Sequence, residues 1–182
     1  MTWLDKYLQK KRVQQARPFL RPGDRLLDVG CADGIIFENI SHLSFDSYGI
    51  DPQKNCCKAP AGFNLVVGQF PTNMPDAGRF DVITLLAVVE HFPRSSHSEL
   101  ADGCSRFLKP GGKIVVTVPS PVVDYILTFF KILGLVKGMS LDEHYGFSPA
   151  LTKKIFCRPI FELIHHHKFQ FGLNNIFVFL KR

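Results

Sequence analysis

The chain has 182 residues, 46% of them apolar and 21% charged, with 17 Phe. That is the length of one domain with ample material for a core, and it excludes a disordered, collagen-like or disulfide-built protein. A net charge of +6 permits an anionic partner without demanding one, and 5 Cys without a C-x-x-C spacing read as the reduced thiols of an intracellular, cytoplasmic protein.

Residues 3–17 pattern as an amphipathic helix, with Trp3, Leu4, Tyr7 and Leu8 on one face and Lys6, Lys10, Lys11 and Arg12 mostly on the other. Its charges leave no apolar core for a secretory leader. Arg21-Pro22-Gly23-Asp24 breaks the chain before a strand at Arg25–Val29. Further strands are predicted at Ser47–Ile50, Phe63–Val67, Phe80–Leu86 and Lys113–Val118. The last two are nearly continuous in apolar or β-branched residues, as in a parallel sheet covered on both faces. Helices are predicted at Gly34–Leu43 and Ser95–Leu108, the second stopped by Lys109-Pro110-Gly111-Gly112. Phe161–Gly172 and Ile176–Lys181, joined at Leu173-Asn174-Asn175, read as an antiparallel hairpin. The expected fold is α/β and doubly wound: a mostly parallel seven-stranded sheet with helices on both faces and a C-terminal antiparallel hairpin. It forms one domain over 1–182. No uncharged run approaches the roughly 20 apolar residues of a bilayer-crossing helix, so no transmembrane segment is expected.

The segment Leu26-Leu27-Asp28-Val29-Gly30-Cys31-Ala32-Asp33-Gly34-Ile35-Ile36 carries the most information. A strand with an acid leads into a tight turn of small residues, and a helix begins, so a ligand can approach the backbone closely outside the carboxyl ends of the strands. The dinucleotide form would be G-x-G-x-x-G; here Ile35 stands where its third glycine belongs, which argues against a nicotinamide or flavin. Asp51 ends the second strand, where a carboxylate can accept both ribose hydroxyls of a nucleoside.

Asp28-Val29-Gly30-Cys31-Ala32-Asp33-Gly34 resembles the first motif of class I S-adenosylmethionine (SAM)-dependent methyltransferases, D-x-G-x-G-x-G. Tyr48-Gly49-Ile50-Asp51 resembles the second motif, Phe80-Asp81-Val82-Ile83 through Val89-Glu90-His91-Phe92 the fourth-strand segment, and Phe107-Leu108-Lys109-Pro110-Gly111-Gly112 the turn before the fifth strand. The resemblance runs in order over about residues 24–119 and implies SAM as cofactor, with S-adenosylhomocysteine as product. It implies that Gly30, Ala32 and Gly34, with Cys31 between them, pass under the methionine part, and that Asp28 holds the ammonium side. Asp51 would bind the ribose and Pro52 lie against adenine. Gln69, beside Phe70, stands where the family usually places an acid that accepts from the adenine amino group. Leu86 and Ala87 would offer backbone carbonyls to the ammonium group. Ala32 replaces a glycine, which a negative φ would tolerate, and the helix after Asp51 is expected to shrink to a turn over 53–61.

Methyl transfer needs alignment and water exclusion, and a base only for a protonated nucleophile. His91 and His144 are the candidate catalytic groups, with Glu90, Tyr125, Phe129 and Tyr145 as candidate substrate contacts. His165-His166-His167 lies in a strand, where only His165 and His167 share a face, and no metal site is expected. Residues 121–137 pattern as a helix with a narrow polar stripe of Asp124, Thr128 and Lys131; its wide apolar face is read as buried in its own core or in a homodimer contact, as a lid within an insertion over 120–147, or as a membrane contact with little basic flanking support. The expected activity is methyl transfer to an O, N or C atom of a small, lipophilic or glycan-like acceptor. The alternatives are an RNA or protein methyltransferase using the basic segment 1–22, or a non-catalytic SAM-binding subunit. Nucleic acid is not favoured, because Ala87-Val88-Val89-Glu90-His91 replaces the Asn/Asp-Pro-Pro-Tyr motif of base-modifying relatives.

Overall fold

The computed structural model describes residues 3–40, 42–44, 46–53, 62–121, 147–157 and 159–182. Strands β1 (Leu26–Val29), β2 (Tyr48–Asp51), β3 (Asn64–Val67), β4 (Phe80–Leu86), β5 (Leu108–Pro119), β6 (Phe161–Phe169) and β7 (Asn174–Lys181) make one seven-stranded sheet in the order β3-β2-β1-β4-β5-β7-β6. The first five pair in parallel, while β7 runs antiparallel to both β5 and β6. The expected architecture is therefore the observed one.

Among the described residues, four α-helices cover the faces: α1 (Trp3–Ala16), α2 (Ile35–Asn39), α3 (His97–Phe107) and α4 (Pro149–Phe156). Alternation along each strand divides the core in two. Leu27, Val29, Ile83, Leu85 and Ile114 join Leu100, Phe107 and Phe156 of α3 and α4 in one cluster. Leu26, Val82, Val115 and Val178 join Val13 and Ala16 of α1 and Ile36 and Phe37 of α2 in the other. Burial on both faces is why the β4 and β5 sequences are almost unbroken in apolar residues.

Several boundaries differ from those predicted. α1 turns Val13 and Ala16 inward and leaves Tyr7 46% exposed, with Lys11 Nζ 5.6 Å above its ring, so Tyr7 is not on the packed face. α2 stops at Asn39 and not Leu43: Asn39 Nδ2 donates to the Ile35 carbonyl at 2.8 Å, and Ile40 leaves the helical region. Such local side-chain bonding competes with continuing the helix. β5 begins at Leu108, because Leu108 pairs with Phe80 across an irregularity before the regular ladder at Lys113. The hairpin turns at 170–173 and not at 173–175. Gln170, Phe171 and Gly172 have φ of 50°, 56° and 84°, whereas Asn174 and Asn175 are buried in β7 opposite Pro119 and Val118.

The candidate cofactor and substrate site

β1 delivers the chain to a turn built on three left-handed residues, Gly30 (φ 74°), Ala32 (φ 44°) and Gly34 (φ 73°). Ala32 thus adopts the positive φ that its methyl group disfavours, contrary to the conformation a non-glycine residue should take there. Gly30 is constrained sterically too: a Cβ there would lie 2.4 Å from Val88 Cγ2 of the loop after β4. The turn is tied to β2 by Gly30 N–H to the Ile50 carbonyl (2.8 Å) and by Ala32 N–H to Asp51 Oδ2 (3.0 Å). Asp51 Oδ1 accepts from Gln53 N–H at 2.9 Å, so both its oxygens are aimed by backbone donors. From α1, Gln9 Nε2 donates to Asp33 Oδ1 at 3.1 Å and braces the turn from above.

Asp28 sits one strand position before Val29, 5% exposed, and accepts from Thr84 Oγ1 at 2.6 Å. Burial pushes its carboxyl up to about 7; the Thr84 bond opposes this and the Asp51 charge adds to it. After β4, Ala87 takes φ 58° and donates its N–H to the Thr117 carbonyl (2.8 Å). Two alanines in left-handed geometry therefore flank the carboxyl ends of β1 and β4. Such strain persists where the surroundings over-determine it, as at binding sites.

Between these loops opens a cavity of about 550 Å³, within the range of small-molecule sites. Of the residues singled out in the sequence, Gly30, Asp51, Pro52, Gln69, Phe70, Ala87 and His91 line it. Asp28, Cys31, Ala32, Gly34, Leu86 and Glu90 do not. Cys31 packs against β2, its Sγ 2.8 Å from where a Cβ on Gly49 would stand, and Glu90 is 2% exposed beneath the short 3-10 turn Val89–His91. His144, Tyr125, Phe129 and Tyr145, the 121–137 helix and most of the 53–61 turn lie outside the described residues. The cavity also takes in Val88, Thr72, Ser96 and Glu99, which carry no motif. Val88 could have been found as the bulky residue facing an obligatory glycine; Thr72 and Glu99 meet only through the packing of α3 on the loop after β3.

The histidine run behaves as alternation requires. His165 and His167 are half-buried toward α1, with His165 Nε2 2.7 Å from His167 Nδ1 and His167 Nε2 3.0 Å from Gln15 Oε1. His166 stacks on Phe177 on the other face, with ring centroids 4.1 Å apart. Among the described residues no three His, Cys, Asp or Glu side chains converge as a metal site, and no helix is long and apolar enough to cross a membrane.

Apolar walls from Ile50, Pro52, Phe70 and Val88, with a carboxylate fixed at the end of β2 and a carboxamide at the end of β3, suit a nucleoside. The site lies where the strand order reverses between β1 and β4, as ligands in doubly wound sheets do. Fold and site thus define a nucleoside-binding α/β protein of the methyltransferase type. The model of the methyltransferase domain family matches residues 3–150, and the chain belongs to that family. A ubiquinone biosynthesis O-methyltransferase of Nitrosococcus oceani is 36% identical over 151 residues, covering 75% of this chain and 62% of that relative. The N-methyltransferase NodS of Bradyrhizobium japonicum WM9 superposes with a TM-score of 0.69 at 15% identity, over 97% of this chain and 98% of that one. Magnesium protoporphyrin IX methyltransferase of Synechocystis PCC 6803, solved with S-adenosylhomocysteine bound, gives 0.65 at 14% identity over 97% and 83%. At those identities the two structures speak for the fold. The chain spans less than two thirds of the Nitrosococcus relative's length.

Proposed function

We propose that this chain transfers the methyl group of SAM to an oxygen atom of a small, lipophilic acceptor. The observation that carries the reading is the cavity in which Asp51, the Gly30 turn and the loop after β4 meet; the O-methyltransferase named above supports the choice of atom. When bound, SAM supplies a methyl group on a sulfonium leaving group. This chain's residues do the holding. Asp51 accepts from the ribose hydroxyls, its lone pairs oriented by the Ala32 and Gln53 N–H groups. Pro52 and Val88 enclose the base from β2 and from the loop after β4. The ammonium end is assigned to Ala87, which borders the cavity, with Asp28 and Leu86 behind it, and a cation brought near would favour the charged form that burial disfavours in Asp28. His91, exposed on the cavity rim, takes the proton of the acceptor hydroxyl.

Calorimetric titration with S-adenosylhomocysteine tests the cofactor half. Wild type is expected to bind at micromolar concentration and Asp51→Ala to lose tenfold or more, on the order of one charge-assisted hydrogen bond. Absence of wild-type binding would refute the reading. Turnover on a panel of phenols and catechols, followed as S-adenosylhomocysteine release, tests the acceptor half. There His91→Ala should lower kcat by about a hundredfold or more while leaving cofactor affinity intact.

A further inference from the structure

Glu99 lines the cavity, yet neither the turn motif nor the roles proposed above use it. It lies in the first turn of α3, in Ser96-His97-Ser98-Glu99, a spacing that ordinarily makes a capping box with the glutamate folded back onto its own helix start. Here Ser96 makes no side-chain capping bond, and its hydroxyl donates to the Pro93 carbonyl at 3.0 Å. Glu99 reaches off the helix, where Oε1 accepts from Thr72 Oγ1 at 3.2 Å. Thr72 follows Gln69 by three residues, and Gln69, Thr72 and Glu99 all border the same cavity. The loop after β3 is pressed on α3 at Gly103, where a Cβ would lie 2.6 Å from Pro71 Cβ. That packing fixes the approach of α3 to the loop, and Glu99, exposed at the cavity rim, borders the same cavity as Gln69.

Two of the lining residues are carboxylates, Asp51 at the end of β2 and Glu99 on α3. A carboxylate accepts hydrogen bonds and donates none, so it favours a ligand edge that donates and disfavours a carbonyl. A carboxamide alone would be indifferent, because Gln69 can present either its oxygen or its NH₂. We infer that Glu99 makes this wall selective for an exocyclic amino group, so that the site takes a 6-amino and refuses a 6-oxo purine nucleoside. The inference rests on the SAM reading above and makes Glu99 a specificity-determining residue with no part in methyl transfer.

The test is calorimetric titration of the full chain with S-adenosylhomocysteine and with its 6-oxo analogue, S-inosylhomocysteine, for wild type, Glu99→Gln and Asp51→Ala. Wild type is expected to prefer the 6-amino ligand by about tenfold, the effect of one charge-assisted hydrogen bond at a partly open site. Glu99→Gln should bring the two ligands within about threefold and bind the 6-oxo analogue more tightly than wild type does, since its NH₂ can donate to the oxo group. A gain in affinity cannot come from misfolding. An unchanged preference in Glu99→Gln, with Asp51→Ala defective, overturns the role of Glu99 and leaves the proposed function standing. Failure of wild type to bind S-adenosylhomocysteine overturns both.

Discussion

Asp28 ties the stability of the fold to pH in a direction opposite to most acids. Its carboxyl titrates at about 7 in the fold against an ordinary 3.8, chiefly because it is buried. Between those values the folded protein keeps a proton that the unfolded chain has released. The stabilisation is therefore complete below about pH 4 and is lost as pH rises to about 7. Asp28→Asn keeps an acceptor for Thr84 and removes the charge. Thermal melting at pH 8 should show it more stable than wild type, by up to about 4 kcal/mol, while its affinity for S-adenosylhomocysteine falls. Asp81 has the usual sign. Burial pushes it up, but the Lys109 bond at 2.8 Å, the Arg25 N–H and both cations hold it below 3.8, so its contribution is present above that value and lost in stronger acid. At the turn, Ala32→Gly should relieve a φ of 44°. A left-handed L-residue costs about 1–2 kcal/mol and glycine's extra unfolded freedom returns about 0.5–1, so a net gain of several tenths of a kcal/mol is expected in the same melt. The sequence shows that an alanine stands at that place; that it is left-handed while its N–H donates to the Asp51 carboxylate is visible only in three dimensions.

At the scale of elements, α3 ends on a lysine from the last strand. Lys181 is 6% exposed, and its Nζ donates to the carbonyls of Ser105 (2.6 Å) and Leu108 (2.9 Å), groups that no helix satisfies by itself. Lys181→Met keeps the stem and strips the donors. It should cost about 2 kcal/mol and lower Tm by roughly 4–8 °C for a chain of this size. The strands were legible where burial on both faces writes an apolar run, as in Val82 to Leu86. Elements whose ends depend on a single polar contact were not. Asn39 halts α2 through its own side chain, and the hairpin turn falls on Gln170-Phe171-Gly172 although Asn174 and Asn175 carry the stronger turn propensity. Tertiary pairing of those asparagines with β5 outweighs that preference.

For the whole molecule, α1 packs on the core cluster it shares with α2 and meets both the turn and the far edge of the sheet. Gln9 reaches Asp33, while Gln15 bonds His167 and Phe19 of the following turn lies 5.1 Å from His165. His167 is held below its ordinary value by burial and by His165 and His166, which favours its uncharged form beside Gln15. Gln15→Leu should leave the strands protected but speed amide exchange in α1, read by hydrogen–deuterium exchange. Equal protection in the variant would show that the Gln15–His167 bond does not hold α1. The cofactor side of the site was readable because its acids and glycines are local to strand ends. Glu99 and Thr72 were not, since they stand 27 residues apart and meet only when α3 docks.

The position of β7 between β5 and β6 sets an order in time. Chain leaving a ribosome presents β1 to β5 and then β6, but β6 has no neighbour to pair with until residues 174–181 emerge. Gln15 waits for a partner 152 residues later in the chain. Closure of the sheet therefore waits for β7. The early βα units can condense, yet their β5 edge stays open to any extended segment nearby until β7 arrives to close it.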